Sequence, residues 1–211
     1  MPAGSDRRDP GPPRVAAIVL AAGRSTRMGA ENKLLADIGG KPMVRRVVEA
    51  ALASTARPVL VVTGHMAADV AKALAGLDVV PIANPDYATG LASSLKAGIR
   101  EVPADCDGAL ILLGDMPRVA VEHIDRLIDA FAAAPDAIIV PVHEGRQGNP
   151  VLWPLRYFPQ LLHLEGDAGA KRLIAVHGAQ VREVEIGSDA VFADVDTPEA
   201  LGRMRERGQS G

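Results

Sequence analysis

One cysteine, Cys106, stands in a chain of 211 residues. That scarcity excludes an intrachain disulfide and any cysteine-built metal cage. Aromatic residues make up only 3%, so the core must be assembled from Ala, Val, Leu and Ile. Few rings then remain to stack on single-stranded nucleic acid. An excess of one charge is also missing: 23 basic and 26 acidic side chains leave a formal net charge of −3. Such a balance argues against nucleic acid or an anionic membrane surface as partner. No apolar run approaches the length of a membrane span. The Walker A loop, the Gly-x-Gly-x-x-Gly dinucleotide turn and the Gly-x-Ser-x-Gly nucleophile elbow are all absent. The five histidines, His65, His123, His143, His163 and His177, show no metal-ligand spacing.

The length suits one sizeable α/β domain and is too short for two. Residues 1–13, rich in Pro, Gly and charge, read as a disordered tail rather than a signal peptide. Residues 14–203 are expected to form the domain and 204–211 a flexible tail, in a cytoplasmic protein.

What is present is concentrated in residues 18–33, Ile-Val-Leu-Ala-Ala-Gly-Arg-Ser-Thr-Arg-Met-Gly-Ala-Glu-Asn-Lys. The apolar run Val15–Leu20 ends in small residues, and the loop beyond carries Gly23, Arg24, Arg27, Gly29 and Lys33. Small residues let backbone N–H groups approach an anion closely. Arginine grips phosphate with a fork of donors, and lysine adds a compact charge. A strand feeding such a loop is suited to hold a polyphosphate.

Further strand-like runs are Pro58–Val62, Val79–Ile82, Ala109–Leu113 and Ala137–Val142. Helical spacing lies between them, from Pro42 at the first helical position to about Ala53, and over Ala67–Leu74, Leu91–Ile99 and Val121–Ala133. This alternation predicts a parallel sheet covered by helices on both faces, in a single domain, with ligands beyond the carboxyl ends of the strands. In the second half, the spacing predicts a strand at Val151–Trp153, helices from Pro154 to about Leu164 and over Ala168–Val176, and a hairpin of Val181–Ile186 with Ala190–Ala193. Thr197-Pro198 reads as a helix start.

Four segments carry chemistry. Asp115 follows a buried-strand run and is placed to hold a hard cation, its competing role being a helix cap near Val119. Asp194 and Asp196, two apart on an extended segment, point the same way and are candidates to complete that metal site. Asp196 has the better capping alternative. Gly90 and Ser93, in Asn84–Ser94, offer a place for a base or phosphate to meet backbone N–H groups, or else a plain loop. Gly145–Pro150 is a further loop in which Arg146 can reach a second anionic substrate, and Gly166–Lys171 is a helix-start loop with a cation; each has a plain surface turn as its alternative. Cys106 lies in a polar loop and gives nucleophilic catalysis little support.

Leu20-Ala21-Ala22-Gly23-x-Ser25-x-Arg27-Met28-Gly29 with Lys33-Leu34-Leu35 resembles the signature of the nucleotidyltransferases of the molybdenum-cofactor branch. Asn84-Pro85-x-Tyr87-x-x-Gly90-Leu91-x-x-Ser94, Gly114-Asp115-Met116-Pro117, Gly148-Asn149-Pro150, Gly166-Asp167-x-Gly169-Ala170 and Asp194-Val195-Asp196-Thr197-Pro198 follow in the same order. The resemblance implies a Rossmann-like nucleotidyltransferase fold and transfer of a nucleoside monophosphate, with release of pyrophosphate, to the phosphate of the molybdopterin cofactor. Ala22 stands where guanylyl-transferring relatives carry glycine, which implies CTP rather than GTP as donor. The alternatives are guanylyl transfer, a sugar or polyol phosphate as acceptor, and a non-catalytic cofactor chaperone. A downstream molybdoenzyme would receive the product.

Roles follow from that resemblance. Arg27 and Lys33 are assigned to the triphosphate, with Lys33 near the α-phosphate. Leu20, Ala21, Ala22, Gly23, Ser25 and Gly29 form the cradle. Gly64, Asn84, Gly90 and Ser94 are candidates for base or ribose, and the loops at Arg146–Pro150 and Asp167–Lys171 for the pterin. Mg²⁺ is expected on Asp115 and Asp194, with Asp196 as the other candidate ligand. The reading requires Lys33 and Asp115 to meet at one edge of the sheet.

Overall fold

The apolar run after Arg14 forms the central strand β1 (Val15–Ala21), buried along its whole length. The computed structural model describes residues 11–24, 32–166, 169–194, 199–202 and 204. Alternate residues of β1 serve two cores. Val15, Ala17, Val19 and Ala21 face one, and Ala16, Ile18 and Leu20 face the other. Only a strand covered on both faces can be apolar throughout in this way.

Parallel to β1 on one side run β4 (Val59–Thr63) and, beyond it, β5 (Val80–Ala83). On the other side β6 (Gly108–Leu113) pairs in parallel, with Leu20 opposite Leu113. Next comes β9 (Val151–Pro154), antiparallel to both β6 and β7 (Ile138–His143). The sheet ends in β10 (Val181–Glu185), parallel to β7, while the short β8 (Arg146–Gln147) turns back on β7. The separate hairpin of β2 (Asp37–Ile38) and β3 (Lys41–Pro42) is antiparallel.

Helix α1 (Met43–Ala53) buries Val44, Val47, Val48 and Ala51, and α4 (Val121–Ala133) buries Ile124, Leu127, Ile128 and Phe131. Both stripes have the i, i+3, i+4, i+7 spacing of a one-sided helix, and both cover the first core. Helix α2 (Ala67–Ala73) adds Val70 to the same core. Helix α3 (Leu91–Arg100) covers the opposite face. There a Cβ at Gly98 would lie 2.5 Å from Ile18 Cγ2, so glycine lets this helix ride directly on the central strand. Helices α5 (Phe158–Leu161) and α6 (Gly169–Val176) extend that face.

The mixed α/β architecture agrees with the sequence reading, with several differences. Pro42 precedes α1 in an extended conformation and ends β3, rather than opening the helix. The helix expected from Pro154 splits into a 3₁₀ turn (Leu155–Tyr157) and the four-residue α5. The second arm of the expected hairpin, Ala190–Ala193, belongs instead to a 3₁₀ turn over Asp189–Phe192, because the Ser188 side chain accepts the Ala190 N–H at 3.2 Å and curls the chain. Cys106, expected in a polar loop, is buried, and burial raises its pKa. The helix start expected at Thr197-Pro198 lies outside the described residues.

Candidate active site at the carboxyl edge of the sheet

Strands β1, β4, β5, β6 and β7 all finish at one edge. The chain moves outward from β1 to β4 and β5, then returns to the far side of β1 with β6, so β1 is the point where strand order reverses. Crevices at such points hold ligands in open α/β sheets.

The loop after β1 rejoins the described chain at Asn32, whose side chain accepts the Leu34 N–H at 3.1 Å and starts a 3₁₀ turn over Lys33–Leu35. Leu34 is buried, which anchors the turn and leaves Lys33 facing the end of β6. Gly114 N–H donates to the Leu20 carbonyl at 3.0 Å, and a Cβ on Gly114 would lie 3.3 Å from Leu34 Cδ2. The lack of a side chain there lets the β6 turn close on Leu34. Lys33 Nζ and Asp115 Oδ2 consequently stand 2.5 Å apart, 13% and 17% exposed. Asp115 therefore faces this lysine, while α4 starts only at Val121.

On the β4–β5 side, His65 N–H donates to the Ala22 carbonyl at 3.2 Å, joining the ends of β1 and β4. Ala22 is 2% exposed, its methyl buried in the second core. The ring of Tyr87 lies against Gly64, where an added Cβ would be 2.6 Å from Tyr87 Cβ. Asn84 is buried: its Nδ2 donates to Ser93 Oγ at 2.9 Å and Ser94 Oγ at 3.0 Å, and its Oδ1 accepts the Asp86 N–H at 3.0 Å. The side chains of Asn84 and Ser94 thus tie β5 to α3 rather than face solvent. Gly90 precedes α3 at φ 114°, a conformation open to glycine.

On the other side of β6 opens a cavity of about 430 Å³. Its walls are mainly apolar, from Leu20, Leu95, Ile111, Val140, Trp153 and Ile174. Polar groups are fewer: Arg146, Gln147, Asn149, Lys171 and Asp194. The Arg146 guanidinium lies 4.6 Å above the Phe192 ring. Gly148 N–H donates to the Pro141 carbonyl and Asn149 N–H to the Val191 carbonyl, both at 2.9 Å, and these bonds stitch the wall together.

A hard divalent cation fits this edge by one observation. Asp115 Oδ1 is buried and has no hydrogen-bond partner among the described residues, a costly state for a carboxylate oxygen that a cation would relieve. No cluster of three or more His, Cys, Asp or Glu occurs among the described residues. Mg²⁺ needs none, since it takes one or two carboxylates together with substrate phosphates and water.

The structure therefore brings Lys33, Asp115, Leu20, Ala21, Ala22, Gly64 and Gly90 to one edge, with Asp194 on the wall of the adjoining cavity. Ser25, Arg27, Gly29, Asp167 and Asp196 lie outside the described residues. Sequence reasoning overlooked the rings of Tyr87 and Phe192 as parts of the site. Tyr87 occurs inside a quoted motif and Phe192 inside the expected hairpin arm Ala190–Ala193, and their rarity in a chain with three Phe and two Tyr was the available signal.

The model of the MobA-like NTP transferase domain matches residues 17–183. The purine catabolism protein PucB of Bacillus subtilis (strain 168) is 30% identical over 92% of this chain and 97% of its own. The molybdenum cofactor cytidylyltransferase of Escherichia coli (strain K12) is 27% identical over 90% of this chain and 95% of its own. Bifunctional GlmU of Kineococcus radiotolerans is 37% identical over 128 residues, and the match spans only 26% of its length. Among solved structures, Rv0371c of Mycobacterium tuberculosis H37Rv superposes with a TM-score of 0.79 at 29% identity, over 92% of this chain and 98% of its own. Its complex with manganese superposes at 0.76 and 28% identity, with the same coverage. Among the described residues no helix is long and apolar enough to cross a membrane.

Proposed function

We propose that this chain, which belongs to the MobA-like NTP transferase family and is a nucleotidyltransferase, transfers CMP from CTP to the phosphate of the molybdopterin cofactor in the cytoplasm. An oxygen of the acceptor phosphate attacks the α-phosphorus, forming a phosphoanhydride. The bond from the α-phosphorus to the oxygen bridging it to the β-phosphate breaks, and pyrophosphate leaves.

The observation that carries this reading is the meeting of Lys33 and Asp115 at the β1–β6 edge beside the cavity. Both reactants are anions, so the task is to place them and to offset charge; no protein nucleophile is required. Lys33 supplies its ammonium to the α-phosphate, where charge grows. Arg27 and the backbone of residues 22–29, Ser25 and Gly29 included, hold the outer phosphates. Gly90 keeps the backbone open beside base and ribose, Gly64 lets Tyr87 pack closely next to them, and Asn84 with Ser94 braces the loop that leads to Gly90. Asp115, with Asp194 or Asp196, would hold Mg²⁺, which when bound offsets charge on the triphosphate and on the leaving pyrophosphate. The manganese complex of Rv0371c supports a divalent ion.

The cavity supports the acceptor. Its apolar walls suit a flat heterocycle better than a sugar, each of whose buried, unpartnered hydroxyls would cost about 1–3 kcal/mol. Arg146 and Lys171 offer charge to an anionic substituent. The E. coli relative supports both CTP and the molybdenum cofactor. The product then passes to a molybdoenzyme.

The test is pyrophosphate release with CTP or GTP against molybdopterin, a sugar 1-phosphate and a polyol phosphate. CTP with molybdopterin should be turned over fastest. Turnover of a sugar phosphate with molybdopterin inert would overturn the acceptor, and a preference for GTP would overturn the donor.

A further inference from the structure

The acid at the centre of this site has a cation beside it. The Lys33 ammonium lies 2.5 Å from Asp115 Oδ2, and both side chains are largely withdrawn from solvent. The other oxygen of the same carboxylate, Oδ1, is buried without a hydrogen-bond partner among the described residues. The two residues differ in freedom. Asp115 has a short stem on the turn after buried β6, pinned by the bond from Gly114 N–H to the Leu20 carbonyl. Lys33 starts a turn whose backbone is fixed by Asn32, but its four-carbon stem can swing. A divalent ion on Asp115 would meet an ammonium a few ångströms away, where little water screens the repulsion.

We propose that Lys33 is a placeholder for the divalent cation: it pairs with the Asp115 carboxylate and must swing away before the cation binds there. Phosphates of the incoming nucleotide draw the ammonium off, so the nucleotide admits the metal. Nucleotide and metal then bind with positive coupling beyond their direct contact, and the empty enzyme holds metal poorly. The inference rests on the reading of Asp115 as a metal ligand. The opposite arrangement would have Lys33 clamp Oδ2 permanently and position Oδ1 for the ion.

The two arrangements differ in sign when Mn²⁺ alone is titrated into nucleotide-free protein and free Mn²⁺ is followed by electron paramagnetic resonance. With Lys33 as placeholder, Lys33→Met tightens Mn²⁺ binding, by a factor within the roughly 5- to 150-fold span of ordinary coupling energies. Lys33→Arg keeps the charge and leaves the affinity unchanged. Adding a non-hydrolysable CTP analogue tightens Mn²⁺ binding by a smaller factor in Lys33→Met than in the unmodified protein. Mn²⁺ binding that is unchanged or weaker in Lys33→Met overturns the placeholder role. Loss of Mn²⁺ binding on adding Asp115→Asn shows that the ligand assignment stands in either case. Mn²⁺ binding that survives Asp115→Asn overturns the ligand assignment itself. Should Lys33→Met fail to fold, as judged by circular dichroism, Lys33→Gln carries the same expectation.

Discussion

Replacing Gly148 with alanine probes the wall between the cavity and the rest of the site. A Cβ at this position would lie 2.4 Å from the Val191 carbonyl oxygen, 2.9 Å from Val191 Cβ and 3.0 Å from Phe192 Cε1. Restoring an ordinary contact needs about 1 Å of separation. Neither side gives way cheaply, since Gly148 N–H is bonded to Pro141 and Asn149 N–H to the same Val191 carbonyl, each at 2.9 Å. Overpacking of this kind costs about 1–3 kcal/mol. For a chain of this size each kcal/mol lowers the melting temperature by about 2–4 °C, so a fall of roughly 2–12 °C is expected. The displaced wall carries the Arg146–Phe192 pair and adjoins Asp194, so the KM for the acceptor should rise about tenfold, equivalent to roughly 1.4 kcal/mol. CTP affinity should hold, because the β1–β4–β5 side is untouched. Scanning calorimetry, CTP titration and acceptor kinetics measure the three quantities. A variant that melts within about 1 °C of the parent with unchanged acceptor KM would refute the tight wall. A variant that loses CTP affinity equally would refute the division of the site.

Asp115→Asn should lower pyrophosphate release by about 10²–10³-fold, the scale for loss of one preorganised electrostatic group, while circular dichroism stays native; full turnover would remove Asp115 from the chemistry. Ala22→Gly should raise turnover with GTP relative to CTP, and an unchanged ratio would show that the buried methyl takes no part in base choice. Burial lowers the His123 pKa below its usual 6.5, and the neutral ring accepts the Ala120 N–H at 3.2 Å. A group whose folded pKa is depressed binds more protons when unfolded, so its contribution is present above about pH 6.5 and fades as pH falls through the folded value. The fall in melting temperature between about pH 7 and 5 should accordingly be shallower in His123→Gln, and an identical slope would contradict the neutral, half-buried ring.

How much the sequence disclosed depended on the range of the forces involved. The unbroken apolar run of β1 announced a strand covered on both faces, and the stripes of α1 and α4 announced one-sided helices, because each pattern is local. The approach of Lys33 to Asp115, 82 residues apart, was legible only through the order of motifs, since no local rule joins the ends of β1 and β6. The 3₁₀ turn at Asp189–Phe192 was misread as a strand because Val191 and Phe192 are good strand formers; the Ser188 cap and the bond from Asn149 to Val191 decided otherwise. Asn84 was read as facing a ligand, and nothing in its own neighbourhood foretold that Ser93 and Ser94 would occupy its amide.

The placing of β9 between β6 and β7 shapes the edge. Were β6 and β7 direct neighbours in the sheet, their carboxyl ends would lie about 4.8 Å apart. With one strand interposed the opposite way, those ends are spread to two such steps, near 10 Å, about the width of a fused ring with its van der Waals envelope. A single interposed strand therefore parts the rim at the ends of β6 and β7. On the proposed reading, remodelling residues 144–150 should change the acceptor while the proposed phosphate-binding side is left as it is.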